Sequence, residues 1–526
     1  MMMKLFYNGL IHTMDEANPH VEAVLVNDEG RIQAVGNLST LNQDTAEMID
    51  LQGNTLLPGF NDAHIHVSWL GLQLTQWVDA RGHVAPDIPT IIEKFADRAQ
   101  ARPADSWITG MGYNEALLEE GRHVTRYDLD KASLDHPMFL IRSCGHVAVA
   151  NSRALALAGV TSETPDPPGG VIVREADGEP TGILQETAMT LAQHLIPEPT
   201  DTEKIAAVQA ASAYLLSLGV TAATDPDVMP DWLDIYRKME ADDLLKIRLN
   251  LLASRRSGDR IVPLPEKFVS DWLRLDSVKF FADGGMTSAT AAISVPYRET
   301  ETHGVLIYEA EALADLMWEA HSQGFRIGTH ANGDVAIEQV VSTYELLNER
   351  EPRPDLRHRI EHLALPTEAH RQRCARLGVT VATQPVFLSA MGATFRRYMP
   401  EQFYERAYGV RQMLDSGLTV ALSTDAPVVP DANPLLGLKA AIDRHDHAGN
   451  PLGENQKITP QEALYAYTMG GAIMSGDEAV IGTITPGKWA DLVILNGDPL
   501  NTPAESMLAL SVVQTYVAGK LAYTST

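Results

Sequence analysis

Cysteine is almost missing from this chain of 526 residues: Cys144 and Cys374 are the only two, far apart and in no paired spacing. That excludes a disulfide framework and a thiolate zinc site, and it fits a reducing compartment. Positive charge is scarce as well. Against 69 Asp and Glu stand 41 Lys and Arg, a formal net charge of −28 at pH 7. The excess of cations that would neutralise nucleic-acid phosphates or an anionic membrane is therefore lacking, and neither is expected as a partner. No apolar run approaches the roughly 18 residues needed to span a bilayer. Met1 to Asp15 carries a Lys and then Asn8-Gly9, not the apolar stretch and small-residue cleavage site of a secretory signal. A soluble, cytoplasmic protein is expected. Hydrophobic residues at 45% and charged residues at 21% are globular values that support a large core and argue against a disordered or coiled-coil chain.

The two ends share a β texture. Leu5-Phe6-Tyr7 and Leu10-Ile11-His12 flank Asn8-Gly9, and Val24 to Val26 and Arg31 to Val35 flank Asn27 to Gly30, so both read as hairpins. Asp491 to Leu495, Ser511 to Val513 and Val517 to Lys520 repeat the pattern at the other end. These ends are expected to pair into one composite β-sandwich, residues 1–55 with 480–526. Between them, apolar β runs alternate with helix-length stretches, the mark of a parallel sheet wrapped by helices. Eight candidate strands start with Thr55 to Asp62, Gly219 to Ala223, Ile247 to Leu252 and Val278 to Phe281. Arg326 to Thr329, Arg359 to Glu361, Val379 to Ala382 and Leu418 to Leu422 complete them. Eight strands close a (β/α)8 barrel, here assigned to 56–70 and 204–479. The intervening 71–203 is too long for one crossover, so it is expected to be an inserted α/β subdomain over the barrel mouth. Gly284 to Gly304, rich in Ala, Ser and Thr, is a second lid candidate.

Chemistry concentrates at the strand ends. His64-Ile65-His66 follows the first strand, and on an extended chain residues i and i+2 point the same way. Among 17 histidines one His-x-His is weak evidence. Lys279 on the fourth strand, His330 ending the fifth, His362 ending the sixth and Asp425 ending the eighth strengthen it, because barrel strands deliver their C-terminal ends to one mouth. Four imidazoles and a carboxylate suit zinc, with manganese or iron as alternatives, rather than calcium or magnesium. His64, His66 and Asp425 are assigned to one ion and His330 and His362 to a second. Lys279, carboxylated by carbon dioxide, would bridge the two, with a hydroxide between metals roughly 3.5 to 4 Å apart. Asp425 would take the proton and pass it to the leaving nitrogen.

Taken together, these stretches resemble the amidohydrolase superfamily and, within it, the YtcJ-like branch that includes N-substituted formamide deformylases. The resemblance rests on Leu57 to His66, Lys279 to Gly285, His330 to Asp334, Arg359 to His362, Ser423 to Pro427 and Gly487 to Val493, which run through nearly the whole chain. In the insert it continues in Pro168-Gly169-Gly170 and in Gly182 to Glu186, and Gly145-His146 resembles a position from which the insert reaches the substrate. The resemblance implies a distorted barrel with a composite β-sandwich, and it implies hydrolysis of a small amide. Gly284-Gly285-Met286 departs from relatives that carry Gly-Ser there.

The residues leave other readings open. Lys279 could simply neutralise Asp283 or Asp425, which would give a single-metal site. Asp334 reads as a cap for the helix after the fifth strand. Glu361 alternates away from His362 and reads as a packing or ion-pair residue. His321 and His358 read as bystanders, and Cys144 as a buried inert thiol. Phe387, Phe395, Tyr398, Phe403, Tyr404 and Tyr408 either line a pocket or pack the core. The expected activity is hydrolysis of the C–N bond of an N-substituted formamide or another N-acyl compound. A cyclic amide hydrolase, a ring-amidine deaminase and a non-catalytic binding or regulatory barrel are the alternatives. Lys279 argues against the deaminase, and the filled ligand positions argue against loss of catalysis. A homodimer is permitted by the acidic surface.

Overall fold

The computed structural model describes residues 2–41, 46–257 and 260–525. Eight parallel strands follow one another in chain order: β1 (Phe60–Asp62), β2 (Val220–Val228), β3 (Arg248–Ser254), β4 (Leu273–Phe281), β5 (Arg326–Ala331), β6 (Arg359–His362), β7 (Thr380–Thr383) and β8 (Thr419–Leu422). Each pairs in parallel with the next. They are buried on both faces, as strands wrapped by helices must be; all of β3 is buried. Between β8 and β1 the sheet closes through the chain just beyond them. The Asp425 N–H donates to the His64 carbonyl (2.8 Å) and the His66 N–H to that of Ala426 (2.9 Å). The Thr424 hydroxyl donates to Asp62 Oδ2 at 2.6 Å. The eight-stranded barrel expected from the strand count is thus present, with the distortion that the resemblance implied.

One expected strand divides. Thr55–Pro58 pairs with Leu492–Leu495 and with Leu10 and Ile11 in the terminal sheet, and only Phe60–Asp62 enters the barrel. The break falls at Gly59, where a Cβ would stand 2.2 Å from Thr221 Oγ1. The first expected hairpin is instead one strand, Lys4–His12, irregular between Tyr7 and Ile11 with Asn8 at φ +60°. Its first half pairs with Glu47–Asp50 and its second with Thr55–Pro58, so the composite sheet of eight strands forks there. The C-terminal strands Leu492–Leu495, Val512–Val517 and Lys520–Thr524 complete the sheet.

The insert forms its own six-stranded sheet. Its central strand, Met138–Arg142, is buried throughout: Met138 and Leu140 enter one core while Phe139 and Ile141 enter the other. Arg142 pairs with Glu115 at 2.6 Å, both nearly inaccessible, and its guanidinium reaches Thr287 at 3.4 Å. The insert is thereby tied to the loop after β4. That loop, one of the two lid candidates, is anchored at several points. Asp283, fully buried, accepts the N–H groups of Ala292, Asn332 and Gly333 at 2.8 to 3.0 Å. Gly333 has no room for a side chain, since a Cβ would lie 1.8 Å from the Ala292 oxygen. Among the described residues no helix is long and apolar enough to cross a membrane.

Candidate active site and metal centre

At the C-terminal ends of the barrel strands lies a cavity of about 730 Å³, lined by His64, His66, Lys279, His330, His362 and Asp425 together with His146 and Glu186 of the insert. All six residues expected from the strand ends therefore face one space. The backbone turns sharply to aim them: His362 sits at φ +73° and Asp425 at φ +59°, in the left-handed region that non-glycine residues rarely occupy. Such conformations carry strain that surrounding structure must hold, and they gather at functional sites.

His64, His66 and Asp425 each offer a ligand atom within 4.8 Å of the others. Asp425 Oδ1 lies 3.4 Å from His64 Nε2 and 3.2 Å from His66 Nε2. It is shut off from solvent and has no hydrogen-bond partner. A buried carboxylate oxygen facing two imidazole nitrogens fits a divalent ion, which would satisfy all three. His64 is turned by Glu361, whose Oε2 lies 2.5 Å from His64 Nδ1 and whose carboxylate also receives Arg359. Glu361 does make an ion pair, as its place on the strand suggested. It also reaches a candidate metal ligand, which strand alternation did not reveal, because its partner is 297 residues away in sequence.

The remaining expected residues lie close by. The His330 and His362 rings are 4.5 Å apart, and those of His64 and His362 5.0 Å. His362 Nδ1 faces Gln384 Oε1 at 2.8 Å, leaving Nε2 open. His330 Nε2 lies 3.0 Å from the Gly284 carbonyl oxygen, leaving Nδ1 open. Burial, with the neighbouring imidazole and lysine charges, holds His330 well below its ordinary value, and burial with His64 takes His362 down to about 3. Both therefore stay neutral, the form that ligates. Lys279 is 1% exposed. It lies 4.7 Å from the centre of the Phe281 ring and makes no ion pair with Asp283 or Asp425. Burial pushes its ammonium below the usual lysine value.

From the insert, His146 brings its ring to 5.7 Å from His330, and its Nδ1 faces Glu186 Oε2 at 2.9 Å. Burial alone would lower it, but the Glu186 carboxylate holds it up to about 9. Cys144 is buried at the cavity wall and its Sγ receives the His146 N–H at 3.4 Å.

Of the six aromatic residues after β7, Phe387, Phe395 and Tyr408 line the cavity. Phe403 is buried in the core, and Tyr398 and Tyr404 pack against it. Asp334 caps nothing with its side chain: the helix Asp334–Arg350 begins after Gly333, and the carboxylate accepts the Ser294 N–H and hydroxyl at 2.9 and 2.7 Å. His321 and His358 bond to each other at 2.8 Å, away from the cavity.

A (β/α)8 barrel whose mouth gathers histidines and a carboxylate able to hold a divalent ion is the build of a metal-dependent hydrolase acting on carbon–nitrogen bonds. The chain belongs to the amidohydrolase family, whose model matches residues 47–523. It is similar over 99% of its length to the protein LONG AFTER FAR-RED 3 of Arabidopsis thaliana, 32% identical and covering 91% of that protein. It is also similar to the N-substituted formamide deformylase of Arthrobacter pascens, 30% identical over 99% of this chain and 98% of that one. Among solved structures, a metal-dependent hydrolase of Pyrococcus horikoshii superposes with a TM-score of 0.76 at 27% identity, over 96% of this chain and 99% of that one.

Proposed function

We propose that this protein hydrolyses the C–N bond of a small N-acyl amine, with N-substituted formamides as the first class to try. The observation that carries the reading is the unpartnered Asp425 Oδ1 between His64 and His66 at the floor of a cavity roofed by His146. The full-length similarity to an N-substituted formamide deformylase supports the substrate class. A divalent ion held by His64, His66 and Asp425 supplies Lewis acidity for the amide carbonyl and lowers the pKa of water. Asp425 would accept the water proton on the carboxylate oxygen not given to the ion and deliver it to the leaving nitrogen. His146, braced by Glu186, donates a hydrogen bond to the substrate from the insert side. Glu361 keeps His64 presenting Nε2.

His330 and His362 would hold a second ion, with Lys279, as its carbamate, a ligand shared between the two sites, and zinc is the first choice with manganese or iron as alternatives. The closeness of the two imidazole rings supports this, as does the burial of an unpaired Lys279, since the neutral amine is the form that adds carbon dioxide. Elemental analysis of protein purified without added metal, with native mass spectrometry of the intact chain, tests the arrangement. Two ions per chain and a carbamate on Lys279 are expected; one ion and a bare lysine would replace the bridged centre with a mononuclear one. Formate release from a panel of formamides, beside longer N-acyl amines and cyclic amides, tests the substrate class.

A further inference from the structure

Asp227 is a carboxylate that none of the chemistry above uses. It lies near the end of β2, where the pairing with β3 is irregular between Asp225 and Val228, and lines the active-site cavity with Lys279 and Arg256. Its backbone is left-handed, at φ +64°. Its Oδ1 is closed to solvent without a hydrogen-bond partner, whereas the side chain as a whole is only half-buried, so its other oxygen is the one open to the cavity. No ion pair holds the carboxylate among the described residues, and the longer-range charge of Lys279 acts on it. An oxygen left unsatisfied and a backbone held in a sparsely populated region are two separate costs. They coincide at the C-terminal end of a barrel strand, where this fold builds its sites.

The surroundings indicate what would satisfy it. Four of the seven tryptophans, Trp69, Trp77, Trp107 and Trp232, line the same cavity. Trp69 stacks on His66 with ring centres 4.7 Å apart, and Trp77 lies 6.5 Å from Trp69, so the aromatic wall begins at the metal ligands. A cavity of about 730 Å³ holds far more than the reacting amide. Aromatic faces accept both apolar stems and cations. Leaving aside Asp425 and the Glu186–His146 pair, carboxylates on that lining outnumber the guanidinium and ammonium groups, with Asp105, Glu198, Glu203 and Asp227 against Arg102, Arg256 and Lys279.

We propose that Asp227 is a specificity residue that accepts a hydrogen bond from a protonated nitrogen on the non-reacting part of the substrate, whose apolar stem lies against the tryptophans. The preferred substrates are then singly N-acylated diamines rather than N-acylated alkylamines. The inference rests on the C–N hydrolase reading for the word substrate, but the cation site can be tested without turnover.

The experiment compares a formylated diamine with the formylated alkylamine of equal chain length, on the wild type and on Asp227→Asn. Asparagine tolerates the left-handed backbone, and a melting curve checks the fold. A charge-assisted hydrogen bond predicts kcat/KM on the order of 10- to 100-fold higher for the diamine derivative, a ratio that D227N brings to about one. Binding of the free diamine and the free alkylamine, followed by tryptophan fluorescence, supplies the independent readout. Diamine binding that weakens in D227N without turnover of any formamide would retain the cation site and remove the hydrolase reading. Equal wild-type kcat/KM for the two substrates, a ratio unchanged by D227N, or diamine binding indifferent to D227N would overturn the proposal.

Discussion

His64 presents only Nε2 to a ligand because Nδ1 is held by Glu361, which is fixed in turn by Arg359. Replacing Glu361 by Gln keeps the shape and weakens the acceptor. Metal affinity, measured by competition with a chromophoric chelator, is expected to fall about 10- to 100-fold. Asp425→Asn removes a ligand and the proton acceptor together, so formate release should drop roughly 10²- to 10⁴-fold; undiminished turnover would sink its catalytic role. That His64, His66, Lys279, His330, His362 and Asp425 share one cavity was legible beforehand, since each stood at or near the end of an apolar β run. Glu361 and Asp227 were not. One acts on a residue from another strand, and the other shows itself only as an oxygen without a donor.

Elements place those residues through a few buried anchors. Arg142 and Glu115 hold the insert's sheet together and reach Thr287 on the loop after β4. Burial alone would raise the Glu115 carboxyl, but Arg142 takes it below the usual glutamate range. A depressed pKa stabilises the fold above the unfolded value and loses that contribution as pH falls through the folded one. Metal-free wild type should therefore exceed metal-free Glu115→Gln by about 3 kcal/mol near pH 7, with the gap closing in acid below pH about 4. Denaturant melts across that range check it. Gly333→Ala would drive a methyl group into the Ala292 carbonyl. A loss of about 1–3 kcal/mol is expected, with lower kcat/KM, because the same loop carries Met286 and Thr287 at the cavity wall. The sequence pattern did reveal the alternation of strands and helices, but not the break at Gly59. Pro58-Gly59 is a turn-type dipeptide at that point, but a reading by apolar pattern runs across it, and nothing local says that the two halves enter different sheets.

Across the whole molecule, a metal ion would clamp the barrel where the sheet closes. His64 and His66 follow β1 and Asp425 follows β8, and these segments meet through the Asp425–His64 and His66–Ala426 backbone bonds. Free metal near 1000 times Kd should stabilise the fold by about 4 kcal/mol. Chelation is accordingly expected to lower the melting temperature of the wild type and to leave that of Asp425→Asn nearly unchanged, as calorimetry would show. An unaltered wild-type melt would argue against an ion at the seam. What the sequence by itself determined is the barrel class and which strand-end residues line its mouth, because hydrophobic periodicity and strand-end position are local properties of the chain. Only the tertiary structure decided which oxygen faces which nitrogen, that the terminal sheet forks at Asn8-Gly9, and that Asp227 shares its cavity with four tryptophans. Those features depend on distances between segments up to hundreds of residues apart, which packing sets and no local pattern records.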